Sequence, residues 1–144
     1  MKAGAAVVSV RKMHEGDAAA VSAIAAAAGD AARDLTSAVA RDPHSVRVVH
    51  MGHEVIGAFL LAELQDRVEE VSCITLNDAG RRSGAEPLVL DYVVRTARFS
   101  QKAAVDVVPS ADSSEPGFLK ALGFERSAGT KGEGERYRLR LKGK

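Results

Sequence analysis

A short basic turn with a glycine separates a strand-like run from a helix-like run in the middle of the chain. The turn "NDAGRRSGAEP" places Arg81, Arg82, Ser83 and Gly84 between "VSCITL" and "LVLDYVVRTAR". Where a strand passes into a helix, the first helical N–H groups are unpaired and the positive end of the helix dipole faces outward. Glycine admits a ligand close to the backbone, and arginines add positive charge. The pattern favours a pyrophosphate site; a solvated turn is the alternative.

The composition bounds the size and the environment of the protein. With 144 residues, of which 46% are hydrophobic, we expect one domain spanning residues 1–144. Cys73 is the only cysteine, which excludes an internal disulfide and a cysteine-based metal site. The net charge of +1 gives no bulk attraction to nucleic acid or to a membrane. No apolar run approaches the roughly 20 residues that span a bilayer, so we expect a soluble, cytoplasmic protein.

Histidines and C-terminal arginines have simpler interpretations than ligand binding. "HMGH" places His50 and His53 at a turn without a third ligand, which favours surface histidines over a metal site. In the tail "RYRLRLK", basic residues alternate with apolar ones, which predicts a final strand with one packed face and one solvated basic face. Nucleic-acid binding is not favoured there, because aromatic residues are sparse.

Hydrophobic periodicity gives a mixed α/β order of elements. "AVVSVRKM" predicts a first strand, and the alanine-rich region that follows predicts two helices separated at Gly29, with Asp17 as cap or first-turn acid of the first. Two strands joined by a turn at 51–53 come next, and then the strand "VEEVSCITL". A helix from about Pro87 to Phe99, the strand "AAVDVVP", the short helix "EPGFLKALGF" and a closing pair of strands complete the order.

This order resembles that of the GNAT family of acyl-CoA-dependent acetyltransferases. The family's central motif is an apolar strand followed by Arg or Gln, two residues, Gly, one residue, and Gly or Ala. The matching positions are Leu76 at the strand end and Arg81, Arg82, Ser83, Gly84, Ala85 and Glu86. "GFLKALGF" is similar to an aromatic-rich helix of the family that ends in a Gly-Phe pair, and "VSVRKMHEGDAAAVSAI" is similar to its opening segment. The resemblance covers roughly the whole chain.

The resemblance implies a GNAT-like fold with a central, mostly antiparallel sheet that is splayed between its fourth and fifth strands and flanked by helices. It implies acetyl-CoA as cosubstrate, with the pantetheine arm along the fourth strand and the pyrophosphate on residues 81–86. The cofactor-binding residues implied are Ile74, Leu76, Arg81, Arg82, Ser83, Gly84, Ala85 and Glu86. The implied reaction is transfer of an acetyl group to an amine by direct attack on the thioester.

Glu70 is the candidate general base for that reaction. Alternation along the strand predicts Glu70, Ser72, Ile74 and Leu76 on one face, with Glu69 on the other. Some members of the family carry a glutamate at this place, and a carboxylate there would take a proton from the attacking amine. Deprotonation through water is one alternative, and a solvated pair of glutamates without a catalytic role is another.

Three positions depart from the family pattern. Glu86 replaces a Gly or Ala and would repel a pyrophosphate, and Pro87 has no N–H and predicts a later start of the helix. Leu119 occupies the place where many members keep a tyrosine that protonates the leaving thiolate. Asp112 stands where an asparagine is common, and candidate substitutes for the tyrosine are Ser110, Ser113 and Ser114. A catalytically impaired GNAT-fold binding or regulatory module is therefore the alternative function.

The acceptor amine and the oligomeric state stay open at this level. Amino acids, polyamines, drugs and protein amines are all compatible with the sequence, and the main polar candidates for recognition in the alanine-rich region are Arg33, Asp34 and Arg41. Edge strands, such as the last one, commonly pair between subunits, which makes a homodimer one alternative.

Overall fold

The computed structural model describes residues 7–108, 116–127 and 136–141. Its strands are β1 (Val8–Lys12), β2 (Val46–Met51), β3 (Glu54–Leu64), β4 (Val68–Leu76), β5 (Ala104–Val108), β6 (Glu125–Ser127) and β7 (Arg136–Arg140). Its helices are α1 (Ala18–Ala28), α2 (Arg33–Arg41), α3 (Asp78–Arg82), α4 (Ala85–Phe99) and α5 (Pro116–Ala121). The predicted mixed α/β order is confirmed, with α3 as an addition that the sequence analysis did not predict.

The strands form one sheet in the order β1-β2-β3-β4-β5-β7-β6. Only β4 and β5 pair in parallel, and every other pair in this described sheet is antiparallel. The prediction that the last strand is an edge strand is wrong, because β7 lies between β5 and β6. The edges of the described sheet are β1 and β6, so a subunit contact through the edge of β7 has no structural basis.

The break between the first two helices occurs where the sequence predicted it. Gly29 follows α1 with φ of 71° and ψ of −138°, a backbone conformation that favours glycine. Its N–H donates to the last carbonyls of α1, and a 3₁₀ turn over Gly29–Ala32 then leads into α2. Within the described segments, no helix combines the length and the apolar character that a bilayer span requires.

The helices cover the sheet on two faces, each with its own apolar core. The α4 face is the side on which α4 packs over Val71, Val105, Val107 and Tyr137. The α1–α2 face is the opposite side, where Val21 and Leu35 pack over strand residues that include Val46, Val48, Ala58 and Cys73. Residues that alternate along β5 and β7 therefore reach different environments, one under α4 and the other on the α1–α2 face.

An ion pair joins the first strand to the start of α1. The Asp17 carboxylate accepts from Arg11 Nη1 and from Arg11 Nη2, the latter at 3.0 Å, and from the backbone N–H of His14 at 2.8 Å. Asp17 is at the helix start as predicted, but its side chain reaches back to His14 instead of capping α1. Hydrogen bonding from Arg11 lowers the pKa of the buried Asp17 carboxyl to about 2.

We predict that Asp17→Asn removes part of the pH dependence of stability. The folded-state pKa of Asp17 is depressed, so its contribution is complete above its ordinary value of 3.8 and is lost as the pH falls through about 2. Near pH 7 the substitution should lower the free energy of unfolding by about 2 kcal/mol, and near pH 3 by about 1 kcal/mol. Urea titrations at both pH values measure the difference.

Arg11→Gln provides the matched background for that measurement. In Arg11→Gln protein, the further change Asp17→Asn should have a smaller and flatter effect, because the main cause of the pKa shift is already absent. An equal effect of Asp17→Asn at pH 7 and pH 3 in the unmodified background would contradict the assignment.

Candidate functional site

The pairing of β3 with β4 shifts by one residue in the middle of β4. Ala58 pairs with Thr75, but Leu60 pairs with Ser72, so β4 contains one residue more than β3 over this stretch. Cys73 lies within this bulge at φ of 57°, in the left-handed region that residues other than glycine seldom adopt. A bulge bends its strand and leaves backbone groups outside the ladder. β4 therefore bends near Cys73.

The bulge lies next to the last described residue pair between β4 and β5. Parallel pairing runs from Val68 opposite Ala104 to Ser72 opposite Val108, the last residue of β5. Residues 73–76 of β4 continue past this point, and Thr75 and Leu76 pair with β3 on the other side of the strand. The splay between the fourth and fifth strands stays a prediction, because residues 109–115, which follow Val108, lie outside the described residues.

The bulge also overturns the alternation predicted along β4. Ile74 and Leu76 pack against the core of the α4 face. Glu70 lies on the α1–α2 face, because it is in register with Asp106, which alternates with the α4-face residues Val105 and Val107. The extra residue shifts the period by one, so Glu70 does not share a face with Ile74 and Leu76. Glu69 faces the other way from Glu70, as predicted.

The turn after β4 is closed by its own side chains. Asn77 Oδ1 accepts from the Gly80 N–H at 2.9 Å and thereby caps α3. Arg81 Nη1 donates to the Leu76 carbonyl at 2.7 Å, and its Nη2 donates to Asp78 at 2.8 Å. Arg81 therefore holds the turn together, a role that the sequence analysis did not predict.

Arg82 and Gly84 face the exterior of this turn. No hydrogen bond or ion pair to another described residue involves the exposed Arg82 side chain. Gly84 has φ of 69° and ψ of 39°, and a Cβ built on it would meet no atom within 4 Å. Ser83 donates its hydroxyl to the Gly80 carbonyl at 3.0 Å. Arg82, Ser83 and Gly84 are all exposed, so a ligand can reach this part of the predicted motif.

The helix α4 begins at Ala85, two residues before the predicted start at Pro87. Pro87 is in the first turn, where its missing N–H is tolerated because first-turn N–H groups lack helical partners. No side chain caps this helix end. Ala85 is fully buried, so only its backbone can contact a ligand, and Glu86 places an acidic side chain in the first turn.

Two glycines set the position of the turn against the sheet. A Cβ on Gly80 would lie 2.6 Å from the Ile56 carbonyl oxygen, and a Cβ on Gly57 would lie 2.7 Å from the Thr75 carbonyl oxygen. The same Ile56 oxygen accepts from the Asn77 N–H at 3.0 Å. The turn can thus pack directly on the ends of β3 and β4 only because neither position carries a side chain.

Below the predicted splay, four charged side chains on the α1–α2 face form what we term the β4–β5–β7 cluster: Glu70, Asp106, Arg136 and Arg138. Arg138 binds both oxygens of Asp106, with Nε at 2.6 Å and Nη2 at 3.0 Å. Arg136 Nη1 contacts Asp106 at 3.0 Å and Glu70 at 2.7 Å. Asp106 is fully buried, whereas the side chains of Arg136 and Glu70 are 23% and 19% exposed.

The electrostatics keep the cluster ionised. Burial raises the pKa of Asp106, but hydrogen bonds from Arg138 and Arg136 lower it more, so its pKa lies below the ordinary value. Burial lowers the pKa of Arg136, but the carboxylates of Glu70 and Asp106 raise it above the usual range. The hydrogen bond to Asp106 likewise raises the pKa of Arg138. Asp106 and both arginines are therefore charged at neutral pH.

This cluster was not predicted from the sequence. Arg136 and Arg138 were expected on a solvated face, and Asp106, the only charged residue in "AAVDVVP", had no predicted role. A lone carboxylate in an apolar strand signals a buried partner, since a buried charge requires one. The partner could not be identified from sequence, because Asp106 and Arg138 are 32 positions apart.

The remaining predicted positions fall in the core or outside the described residues. Leu119 and Phe124 are buried in the core of the α4 face. Burial raises the pKa of the Cys73 thiol, which agrees with an unreactive cysteine. The structure describes no group of three or more His, Cys, Asp or Glu residues that could hold a metal ion. The positions outside the described residues are Ser110, Asp112, Ser113, Ser114 and Lys142.

Neither protein-family models nor curated protein sequences give a match to this chain. The chain does match solved structures. An acetyltransferase of the GNAT family from Staphylococcus aureus Mu50 superposes with a TM-score of 0.75 at 13% identity, covering 94% of this chain and 100% of that one. The ribosomal-protein-S18-alanine N-acetyltransferase from Escherichia coli gives 0.70 at 12% identity, covering 93% and 94% of the two chains.

N-acetylglutamate synthase from Neisseria gonorrhoeae, complexed with coenzyme A and N-acetyl-glutamate, gives a TM-score of 0.70 at 16% identity. The match covers 95% of this chain but only 36% of the synthase. At these identities the likeness concerns the fold. The chain has the fold of the GNAT acetyltransferases, as the sequence analysis predicted.

We predict that Gly80→Ala destabilises the protein by about 2 kcal/mol, because the added methyl group meets a backbone carbonyl that cannot rotate away. Urea unfolding followed by circular dichroism measures this. The matched control is Gly16→Ala, where a Cβ meets no atom within 4 Å, and it should change stability by less than about 0.5 kcal/mol. Equal effects of the two substitutions would show that the turn does not depend on this close packing.

Proposed function

We propose that the protein is an acyl-CoA-dependent N-acyltransferase that moves an acetyl group from acetyl-CoA to an amine. The observation that carries the proposal is the combination of the parallel β4–β5 pair, which extends to Ser72, with the glycine turn that follows β4. Neighbours in fold include N-acetylglutamate synthase and Rv2747 from Mycobacterium tuberculosis, both in complex with coenzyme A. This supports the same cosubstrate here.

Three features of the turn favour the binding of a pyrophosphate, and one disfavours it. Gly84 leaves open space beside the backbone, the start of α4 has no side-chain cap, and Arg82 is exposed beside it. Helix ends of this kind favour anions. The negative charge of Glu86 in the first turn disfavours the binding of an anion. We infer that Arg82 and the backbone of Ser83, Gly84 and Ala85 would bind the pyrophosphate, with Arg81 supporting the turn.

Acetyl-CoA would supply the acetyl group as a thioester, and the backbone of residues 73–76 would bind the pantetheine arm along the splay. The amine attacks the thioester carbonyl, the new N–C bond forms as the C–S bond breaks, and the electron pair leaves with sulfur. Glu70 would accept the proton of the amine. It lies two residues below Ser72 on the α1–α2 face, about 7 Å along the strand.

The thiolate would take its proton from water. Leu119 offers no hydroxyl and is buried in the core. Thiols have a pKa near 8.5, so a thiolate leaves without an acid catalyst more readily than an alkoxide. The rate expected is therefore lower than with a tyrosine donor, but turnover does not require one.

A second candidate function is a GNAT-fold binding or regulatory module without catalysis. It is favoured by the acidic side chain of Glu86 in the first turn of α4 and by the core packing of Leu119. Such a module would not turn over acetyl-CoA with any amine. Binding and turnover therefore have to be measured separately.

We predict that acetyl-CoA binds to the unmodified chain and that binding weakens about ten-fold in Arg82→Glu, because a positive charge beside the pyrophosphate becomes negative. Gly84→Ala should weaken it as well, since the methyl group would fill the approach to the backbone. Calorimetric titration at low and moderate salt measures both, and added salt should weaken binding.

Gly52→Ala is the control for Gly84→Ala. Gly52 also has a positive φ and open space around its Cβ position, but it lies in the β2–β3 hairpin. Both variants carry a similar backbone strain, so only Gly84→Ala should affect the ligand. Undiminished binding in Arg82→Glu and Gly84→Ala would overturn the pyrophosphate assignment.

We predict that Glu70→Gln lowers kcat/KM about a hundred-fold with a productive amine, because the amide cannot accept the proton. Glu69→Gln is the control, since Glu69 faces the α4 side and contacts Lys102 at 3.7 Å. Parental activity in Glu70→Gln would exclude the base role.

A further inference from the structure

We propose that the acceptor is a free amino acid, and that its zwitterion binds by opening the Arg136–Glu70 ion pair. The acceptor carboxylate takes the place of Glu70 on Arg136, and the acceptor ammonium group binds Glu70. This inference rests on the proposed function for the direction of the chemistry, but its binding step can be tested without turnover.

The β4–β5–β7 cluster has a fixed half and an exchangeable half. Arg138 binds Asp106 through two nitrogens, and this carboxylate is fully buried, so its removal from the pair would be costly. Arg136 contacts both Asp106 and Glu70 through the single nitrogen Nη1. The partly exposed Arg136 and Glu70 are the members that an incoming ligand can reach.

A zwitterion leaves neither Arg136 nor Glu70 without a partner when it enters, because it forms two ion pairs in place of the one that it opens. A ligand with only a carboxylate would bind Arg136 and leave Glu70 without an ion-pair partner. A ligand with only an ammonium group would bind Glu70 and leave Arg136 with Asp106 as its remaining partner in the cluster. A partly buried charge that loses its partner is destabilised. An amino acid supplies both charges, and a guanidinium fork is suited to a carboxylate.

The same charges disfavour a polyamine. Arg138 and the exposed Arg140 lie on the same face as Arg136, through alternation along β7. The carboxylate of Asp106 is fully occupied by arginines. A ligand with several positive charges would meet three arginines here. The accessible acids are Glu70, Glu125, which is in register with Arg138, and Asp66, whose charge acts on Arg138.

The position relative to the predicted splay suits the reaction. Glu70 and Ser72 share the α1–α2 face, and Ser72 is in the last described pair of β4 with β5. Arg136 precedes Tyr137, which is opposite Val107, so Arg136 lies at the splay end of β7. An amino acid held between Arg136 and Glu70 would present its amine next to the proposed base, below the thioester position.

The test compares amino acids with their C-terminal amides, which keep the ammonium group and lose the carboxylate. The ¹⁵N-labelled chain is titrated with the twenty amino acids and the matching amides, and the arginine side-chain Nε–Hε signals are followed. We expect at least one amino acid to shift the Arg136 signal saturably, and its amide to bind about ten-fold more weakly. This comparison needs no variant and no turnover.

Arg136→Gln should abolish that binding, and Arg140→Gln, on the same face but exposed, should preserve it. Arg136→Lys, which keeps the charge without the fork, should bind at an intermediate level if Arg136→Gln proves unstable. Equal binding of acid and amide, survival of binding in Arg136→Gln, or no shift of Arg136 with any amino acid would overturn the inference. Failure of the proposed function would be distinct, since acetyl-CoA would then not be consumed with an amino acid that binds.

Discussion

The extra residue in β4 is the constraint on which the site depends. Cys73 adopts a positive φ that costs about 1–2 kcal/mol for a residue with a side chain. Packing of its buried side chain among the α1–α2 core, with Sγ 3.7 Å from the Ala31 carbonyl, offsets this cost. Because of the extra residue, Glu70, which precedes the bulge, lies on the α1–α2 face, and Ile74, which follows it, lies on the α4 face. One strand thus borders both a charged surface and an apolar core.

Two further interactions keep the parts in place. At the upper end, the absence of side chains at Gly57 and Gly80 brings the turn onto the sheet, and Arg81 ties the turn to the last carbonyl of β4. At the lower end, the buried carboxylate of Asp106 connects β5 to β7 through Arg138 and Arg136. A buried charge of this kind is costly without its partners, so the strands that carry the partners have to be adjacent.

Much of the fold could be predicted from the sequence, because local signals mark it. Gly29 ends α1 and Gly52 forms the β2–β3 turn, each with the positive φ that the sequence pattern indicates. The bulge could not be predicted, since no glycine or proline marks Cys73 and the shift arises from pairing with β3. The helix start was predicted at Pro87 but lies at Ala85, because a proline is tolerated in the first turn of a helix. The charged cluster depends on β7 lying between β5 and β6, a long-range property that strand periodicity does not contain.

The most direct test of the central claim is a residue-resolved titration of the backbone amides with acetyl-CoA by NMR. The account predicts saturable shifts at two separated stretches, residues 73–76 along the splay and residues 83–86 at the turn, with little change in the β2–β3 hairpin. Shifts confined to other parts of the chain, or no shifts at all, would contradict it. In that case the fold would serve a purpose other than acyl transfer.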